Sequence, residues 1–157
     1  MADSYSSIYI HIVYAVKNRA SLIDPSWETD LQKYIAGIVR NRGQKLMAVN
    51  TMPDHIHMLV GIRPDCLLSD LVKDIKANSS RWINDLRLTK QVFRWQNGYG
   101  SFSVGRREVK IVSHYIWNQK IHHAKRRFRE EYLETLRYHY VVYDERYVLK
   151  DVFLEGE

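Results

Sequence analysis

The chain has 157 residues, enough for one domain with a single sizeable core, and its 45% hydrophobic and 27% charged residues are typical of a globular protein rather than a disordered one. Its net charge of +6 favours polyanionic partners, and its only cysteine, Cys66, excludes an intramolecular disulfide and a cysteine-rich zinc site. The N-terminus has no signal-peptide pattern and no apolar stretch is long enough to span a membrane, so we expect one cytoplasmic domain over residues 1–157.

The first half of the chain predicts three strands and two helices. A strand rich in Ile, Val and Tyr is followed by a helix with one apolar stripe, which stops at Gly43. Two further strands flank the tight-turn pair Pro53-Asp54 and therefore form a hairpin, and a second helix follows with Ser69 as its expected N-cap. The predicted ranges are 5–16, 27–42, 45–52, 55–62 and 67–86.

The second half predicts a loop, a short strand and a helical C-terminal region. The strand lies around residues 102–104, a helix runs from 106 to about 123, and its continuation or a further helix covers about 125–139. The resulting order β-α-β-β-α-β-α is that of the split βαβ, or ferredoxin-like, fold. We therefore expect an α+β protein whose antiparallel sheet carries helices on one face, leaves the other face free and has an added C-terminal helix.

Basic residues are concentrated in one window, residues 106–129, which holds eight of them and a single acid, Glu108. The rest of the chain is close to neutral. Charge concentrated in this way attracts phosphates more strongly than the same charge spread over a surface. A solvated helix face is the alternative interpretation of the window.

Two histidines stand at alternate positions of the third predicted strand. Because strand side chains alternate between faces, His55 and His57 point to one side and Ile56 and Met58 to the other, where a core would lie. Two imidazoles on one face can bind a divalent metal ion, although two strand histidines without any role are the alternative. Two ligands are too few for a tight site, so a third would come from elsewhere in the chain.

Within the basic window, Tyr115 and Gln119 share a helical face because they are four residues apart. A tyrosine among phosphate-attracting charges can act as a covalent nucleophile toward phosphorus, and its pKa of about 10 requires the help that a metal ion on the phosphate supplies. The amide oxygen of Gln119 could complete a His-His-Gln site suited to Mn²⁺ or Mg²⁺. Taken alone, Tyr115 could equally be one of eleven structural tyrosines.

Together these motifs resemble the IS200/IS605-type transposases, small single-tyrosine members of the HUH endonuclease superfamily. Residues 52–60, Met-Pro-Asp-His-Ile-His-Met-Leu-Val, are similar to the family's His-hydrophobic-His signature, and residues 115–119 with His122 and His123 are similar to its tyrosine helix. Weaker matches lie in residues 11–19 and 95–103. The resemblance covers about residues 5–131.

The resemblance implies that His55, His57 and Gln119 bind Mg²⁺ or Mn²⁺ and that Tyr115 attacks single-stranded DNA at hairpin-marked element ends. Cleavage would give a 5′-phosphotyrosine and a free 3′-hydroxyl, and reversal by another 3′-hydroxyl would join strands. A homodimer with an active site shared between subunits is also implied, because one tyrosine per chain has to cut two element ends. We expect such a protein to be associated with the nucleoid when it is bound to DNA.

A shared site needs a flexible joint before the tyrosine helix, where Gly98, Gly100 and Gly105 lie, and ordinary turns are the alternative. Tyr99 and Phe102 could stack on unpaired bases or lie in the core. Asp54 could orient a metal ligand or serve only as a turn residue. The expected contacts with DNA phosphates are Lys17, Arg19, Arg106, Arg107, Lys110, Lys120, Arg126 and Arg127.

Two other functions fit parts of the sequence. A domesticated relative acting on repetitive palindromes would share both motifs, and only the genomic neighbourhood of the gene separates it from a transposase. A non-catalytic nucleic-acid-binding module would use the basic window, but it would not need the combination of His55, His57, Gln119 and Tyr115.

Overall fold

The computed structural model describes residues 4–123, 127–144, 146 and 148. Among these residues, four strands form one antiparallel sheet: β1 (Tyr9–Ala15), β2 (Lys45–Met52), β3 (His55–Gly61) and β4 (Gly100–Val104). Their spatial order β2-β3-β1-β4 places β1 and β3 side by side at the centre, which confirms the split βαβ arrangement predicted from the sequence. Within the described ranges, each helix is too short or too polar to span a membrane.

Two helices, α1 (Pro25–Asn41) and α2 (Leu68–Asp85), pack on one face of the sheet and enclose the main core. α1 begins where the carboxylate of Asp24 accepts a hydrogen bond from the backbone N–H of Ser26. The expected N-cap of α2 at Ser69 is wrong. That position falls on Leu67, which makes no side-chain cap, so α2 begins without one.

The opposite face of the sheet is covered as well, by helices from the described part of the second half of the chain. α3 (Val109–Trp117) packs on β2 and β3, α4 (Gln119–His123) follows it along β2, and α5 (Phe128–Tyr138) packs against β1 and β4. The expectation that this face stays free is therefore wrong. It presents apolar side chains such as Val13 and Leu59, whose burial favours a covering layer.

The helix predicted over residues 106–123 is interrupted at Asn118. A short 3₁₀ turn (Arg106–Glu108) precedes α3, and Asn118 separates α3 from α4. The amide of Asn50 on β2 donates to the carbonyls of Ile116 at 3.0 Å and Trp117 at 3.2 Å, which satisfies acceptors left open where a helix ends. The end of α3 is thereby attached to the edge strand of the sheet.

Candidate active site

The two strand histidines lie at the start of β3, on the face that α3 and α5 cover. Ile56 and Met58, which alternate with them, point into the main core beneath α1 and α2, as the strand periodicity predicts. His55 is fully buried and His57 is 2% exposed. Side chains this enclosed keep fixed orientations, so their hydrogen-bond partners decide what each ring nitrogen can do.

Asp54, in the turn before β3, holds the first histidine. Its Oδ1 accepts a hydrogen bond from His55 Nδ1 at 2.7 Å, and Arg19 Nε lies 3.8 Å from its Oδ2. Burial alone would raise the pKa of Asp54, but the hydrogen bond from His55 and the charges of His55 and Arg19 outweigh it and lower that pKa. Asp54 is therefore ionised, and Nε2 is the nitrogen of His55 suited to bind a metal ion.

His11 of β1 holds the second histidine. Its Nε2 lies 2.9 Å from His57 Nδ1, and the two rings stack with centroids 5.2 Å apart. Burial, together with the nearby charge of His57, lowers the pKa of His11 to about 3, so His11 is neutral at physiological pH and can accept the proton on His57 Nδ1. Nε2 is then the nitrogen of His57 suited to a metal ion. Each of the two histidines is thus oriented by a hydrogen bond at its Nδ1.

The third member of the cluster is Glu131 of α5, which sequence reasoning missed. Its Oε1 lies 3.0 Å from His57 Nε2, and its side chain is buried. Ligand atoms of His55, His57 and Glu131 all lie within 4.8 Å of one another, so two nitrogens and one carboxylate oxygen can hold a divalent metal ion. A signal was available in the sequence, because Glu131 stands on the apolar stripe of α5 between Phe128 and Leu136, where a carboxylate needs a partner.

Phe128 covers the cluster from the first turn of α5. Its ring stacks on His55 with centroids 3.7 Å apart and planes 4° apart. The guanidinium of Arg19 lies 6.0 Å from the centre of the same Phe128 ring. α5 therefore supplies both a carboxylate and an apolar cover to the histidines.

Tyr115 of α3 lies at the edge of this cluster, in the same chain. Its ring meets His57 edge-on with centroids 6.1 Å apart and His11 with centroids 6.4 Å apart, and unlike the histidines it is only half-buried. Gln119 is fully buried, and its Nε2 donates to the backbone carbonyl of Tyr115 at 3.4 Å across the helix break. The structure brings Tyr115 and the two histidines together, whereas the ligand role of Gln119 stays a prediction.

The basic residues expected to contact DNA occupy different environments. Lys120 forms an ion pair with Glu28 at 3.0 Å, which ties α4 to α1. Arg19 is turned back toward Asp54 because Asn18 and Arg19 both adopt a positive φ, 58° and 54°. Arg126 lies outside the described residues. Besides Lys120, the exposed ones are Lys17, Arg106, Arg107, Lys110 and Arg127. Contacts between these residues and DNA stay predictions.

The glycines before the tyrosine helix differ in what surrounds them. A Cβ atom on Gly100 would lie 2.7 Å from Tyr132 Oη and 2.9 Å from a ring carbon of Phe102, whereas Gly98 has no neighbour closer than 3.9 Å. Gly100 is therefore needed for the close packing of α5 on β4.

The two aromatic residues considered for base stacking lie in different places. Phe102 lies in the core, while Tyr99 is half-buried at the surface.

Known transposases resemble this chain in sequence and in fold. A family model described as "Transposase IS200 like" matches residues 4–119. The ISDra2 transposase TnpA of Deinococcus radiodurans is 28% identical over 71 residues, or 45% of this chain, and the match spans about half of that relative, 51%. A crystal structure from Deinococcus radiodurans assigned as a transposase has a TM-score of 0.63 at 25% identity, with 76% of this chain and 95% of that chain covered. A REP-associated tyrosine transposase bound to a REP hairpin shares the fold, with a TM-score of 0.59 at 17% identity over 78% of this chain and 74% of the other.

Proposed function

Because the chain belongs to the IS200-like transposase family, whose members cleave and transfer DNA strands, we propose that it is a metal-dependent transposase of single-stranded DNA. The observation that carries this proposal is the position of Tyr115 beside His57, in a cluster that can hold a divalent metal ion. A nucleophile next to a metal site is the arrangement that phosphodiester cleavage through a covalent intermediate requires.

Tyr115 is the nucleophile in this proposal. Its Oη forms a bond to the scissile phosphorus while the bond between phosphorus and the 3′ oxygen breaks, and the tyrosine proton ends on the departing 3′-hydroxyl. The product is a 5′-phosphotyrosine that preserves the energy of the phosphodiester, so another 3′-hydroxyl can rejoin the strand without ATP. We propose that the substrates carry hairpins at the element ends.

His55, His57 and Glu131 would hold Mn²⁺ or Mg²⁺, since they combine two imidazole nitrogens with a carboxylate oxygen. A bound ion would neutralise charge on the phosphate and orient it. Asp54 and His11 position the two imidazole rings through their Nδ1 atoms. We propose Gln119, one turn from the nucleophile, as an additional oxygen donor.

A homodimer is part of the proposal, because each chain carries one nucleophile and an element has two ends. α3 and α4 expose large apolar side chains at Ile111, Trp117 and Ile121, which are 69%, 53% and 61% exposed. Apolar side chains grouped on α3 and α4 favour an interface with a second copy. Mixing Tyr115→Phe chains with His55→Ala chains tests a shared site: restored cleavage supports it, and inactivity in every mixture contradicts it.

The central test is formation of a covalent adduct. The protein is incubated with a single-stranded hairpin oligonucleotide and Mn²⁺ or Mg²⁺, and the products are separated on a denaturing gel. We expect a protein–DNA adduct that disappears in Tyr115→Phe and persists in the matched control Tyr138→Phe, whose ring is 80% exposed on α5. An unchanged adduct in Tyr115→Phe would contradict the nucleophile, and DNA binding without any adduct would favour a binding module.

A further inference from the structure

A groove lies on the other face of the sheet from Tyr115, between α2 and the segment 94–99 that precedes β4. We call it the α2 groove; its volume is about 490 Å³, and its lining includes Lys73, Lys76, Arg94, Trp95, Gln96 and Tyr99. Among the described residues that line it there are three cations and no carboxylate. The cavity beside Arg42 and Arg63 is different, since Asp65 and Asp70 also line it and balance its charge.

Lys76 of α2 binds the loop that forms one wall of the α2 groove. Its Nζ donates hydrogen bonds to the carbonyls of Gln96 at 2.8 Å and Gly98 at 2.7 Å, which tie the loop to α2. These bonds also offset the negative ends of two carbonyl dipoles that would otherwise repel an anion. Lys73 and Arg94 are exposed, where cations can pair with phosphates.

Tyr99 adds a flat apolar surface beside these cations. Its ring is half-buried, and its centre lies 5.6 Å from Lys76 Nζ. Trp95 fixes the same loop from within, because its Nε1 donates to Ser79 Oγ of α2 at 2.9 Å. An aromatic ring among phosphate-binding cations suits single-stranded nucleic acid, in which bases are available to stack and phosphates to pair.

The loop of the α2 groove is connected through backbone hydrogen bonds to the strands that carry His55 and His57. Lys17 N–H donates to the carbonyl of Arg94 at 2.9 Å, and Gln96 N–H donates to the carbonyl of Ala15 at 2.9 Å. Ala15 is in turn the partner of His55 across β1 and β3. Because neighbouring strands lie about 4.8 Å apart, the loop backbone is roughly 10 Å from that of His55, so the α2 groove adjoins the end of the sheet at which His55 lies.

We propose that the α2 groove binds the single-stranded DNA that flanks the cleavage site, with phosphates on Lys73 and Arg94 and one base against Tyr99. This inference rests on the proposed function, because its occupant is the strand that Tyr115 cuts. Duplex DNA is a poorer fit, since its bases are already stacked within the helix and cannot lie on Tyr99.

Fluorescence anisotropy with labelled oligo(dT) and with a dA·dT duplex of the same length tests the proposal. The variant Lys73→Glu/Arg94→Glu reverses the charge of the α2 groove, and Lys33→Glu/Arg40→Glu makes the same charge change at exposed positions of α1. We expect the groove variant to bind oligo(dT) about tenfold or more weakly, with a salt dependence reduced by the equivalent of about two phosphate contacts. The α1 variant is expected to retain most of the affinity.

Tyr99 is tested separately. We expect Tyr99→Ala to weaken oligo(dT) binding about fivefold or more and Tyr99→Phe to retain it, because stacking needs the ring and not the hydroxyl.

Two outcomes of the charge-reversal experiment would overturn the proposal. One is an equal loss of oligo(dT) affinity in the groove and α1 variants. The other is an equal loss of affinity for oligo(dT) and for the duplex in the groove variant.

The two proposals fail in different ways. Unchanged oligo(dT) binding in the groove variant, with the covalent adduct intact, refutes the groove alone. Loss of oligo(dT) binding in that variant, in a protein that never forms an adduct, supports the groove as a single-strand site and refutes the nucleophilic role of Tyr115.

Discussion

Replacing Gly100 with alanine is expected to loosen α5, the helix that covers His55 and His57. The added methyl group would lie 2.7 Å from Tyr132 Oη and 2.9 Å from a ring carbon of Phe102, whereas ordinary contacts begin at 3.4 Å. Tyr132 and Phe102 are 9% and 3% exposed and pack in one cluster with Phe128. Neither ring can move aside alone, so α5 has to shift by a large fraction of an ångström.

Overpacking of this kind costs about 1–3 kcal/mol of unfolding free energy. With a urea dependence of about 2 kcal/mol per molar, the unfolding midpoint of Gly100→Ala should fall by about 1 M. α5 also carries Glu131, whose Oε1 lies 3.0 Å from His57 Nε2, so its displacement should weaken Mn²⁺ binding measured by calorimetry.

Gly98→Ala is the matched control, because the nearest atom to its new methyl group would be 3.9 Å away. It should change the urea midpoint little, and adding Tyr132→Phe to Gly100→Ala should recover part of the loss by removing the closest oxygen. Equal midpoints for Gly98→Ala and Gly100→Ala would refute the packing argument. If both variants kept their stability and lost cleavage, these glycines would act as the joint of a shared active site.

Three further predictions concern the cluster and the α2 groove. Glu131→Gln keeps the shape of the side chain and removes its charge, so Mn²⁺ affinity should fall by about tenfold or more in calorimetry, and an unchanged affinity would exclude this carboxylate as a ligand. Asp54→Asn weakens the hydrogen bond that His55 Nδ1 donates and should lower Mn²⁺ affinity by about 10- to 100-fold. An unchanged affinity in this variant would show that Asp54 serves only as a turn residue. Burial lowers the pKa of Lys76 to about 8, so the affinity of the wild-type protein for oligo(dT) should fall as pH rises through about 8. The variant Lys76→Arg stays charged over this range and should not show the fall. Parallel pH profiles for the two proteins would contradict this prediction. In the folding equilibrium the unfolded chain keeps that proton up to about pH 10.5, so the contribution of Lys76 to the unfolding free energy rises with pH between these two values.

Local patterns in the sequence were sufficient to predict the sheet and part of the candidate site. Alternation along β3 identified His55 and His57 as neighbours on one face, because the period of a strand depends only on the local backbone. The turn Pro53-Asp54 likewise located the hairpin, whose strands pair as expected.

Contacts between segments that are distant in the sequence could not be predicted from local patterns. The placement of α5 over the second face depends on which apolar surface remains after α1 and α2 have packed, and no local pattern contains that information. Glu131 and His11 reach the cluster only through such long-range packing. The break at Asn118 also depends on Asn50, far away in the sequence, whose amide binds the last carbonyls of α3.

The cluster is assembled from two separate stretches of chain. The family match ends at residue 119, whereas α5, which contributes Glu131 and Phe128, begins beyond it. A different terminal helix would need its own fit to the sheet, since α5 packs on Phe102 and leaves no room for a Cβ atom at Gly100. Redesigning α5 together with the strand positions that it touches is therefore a route to change both the carboxylate beside the histidine pair and the apolar cover over it.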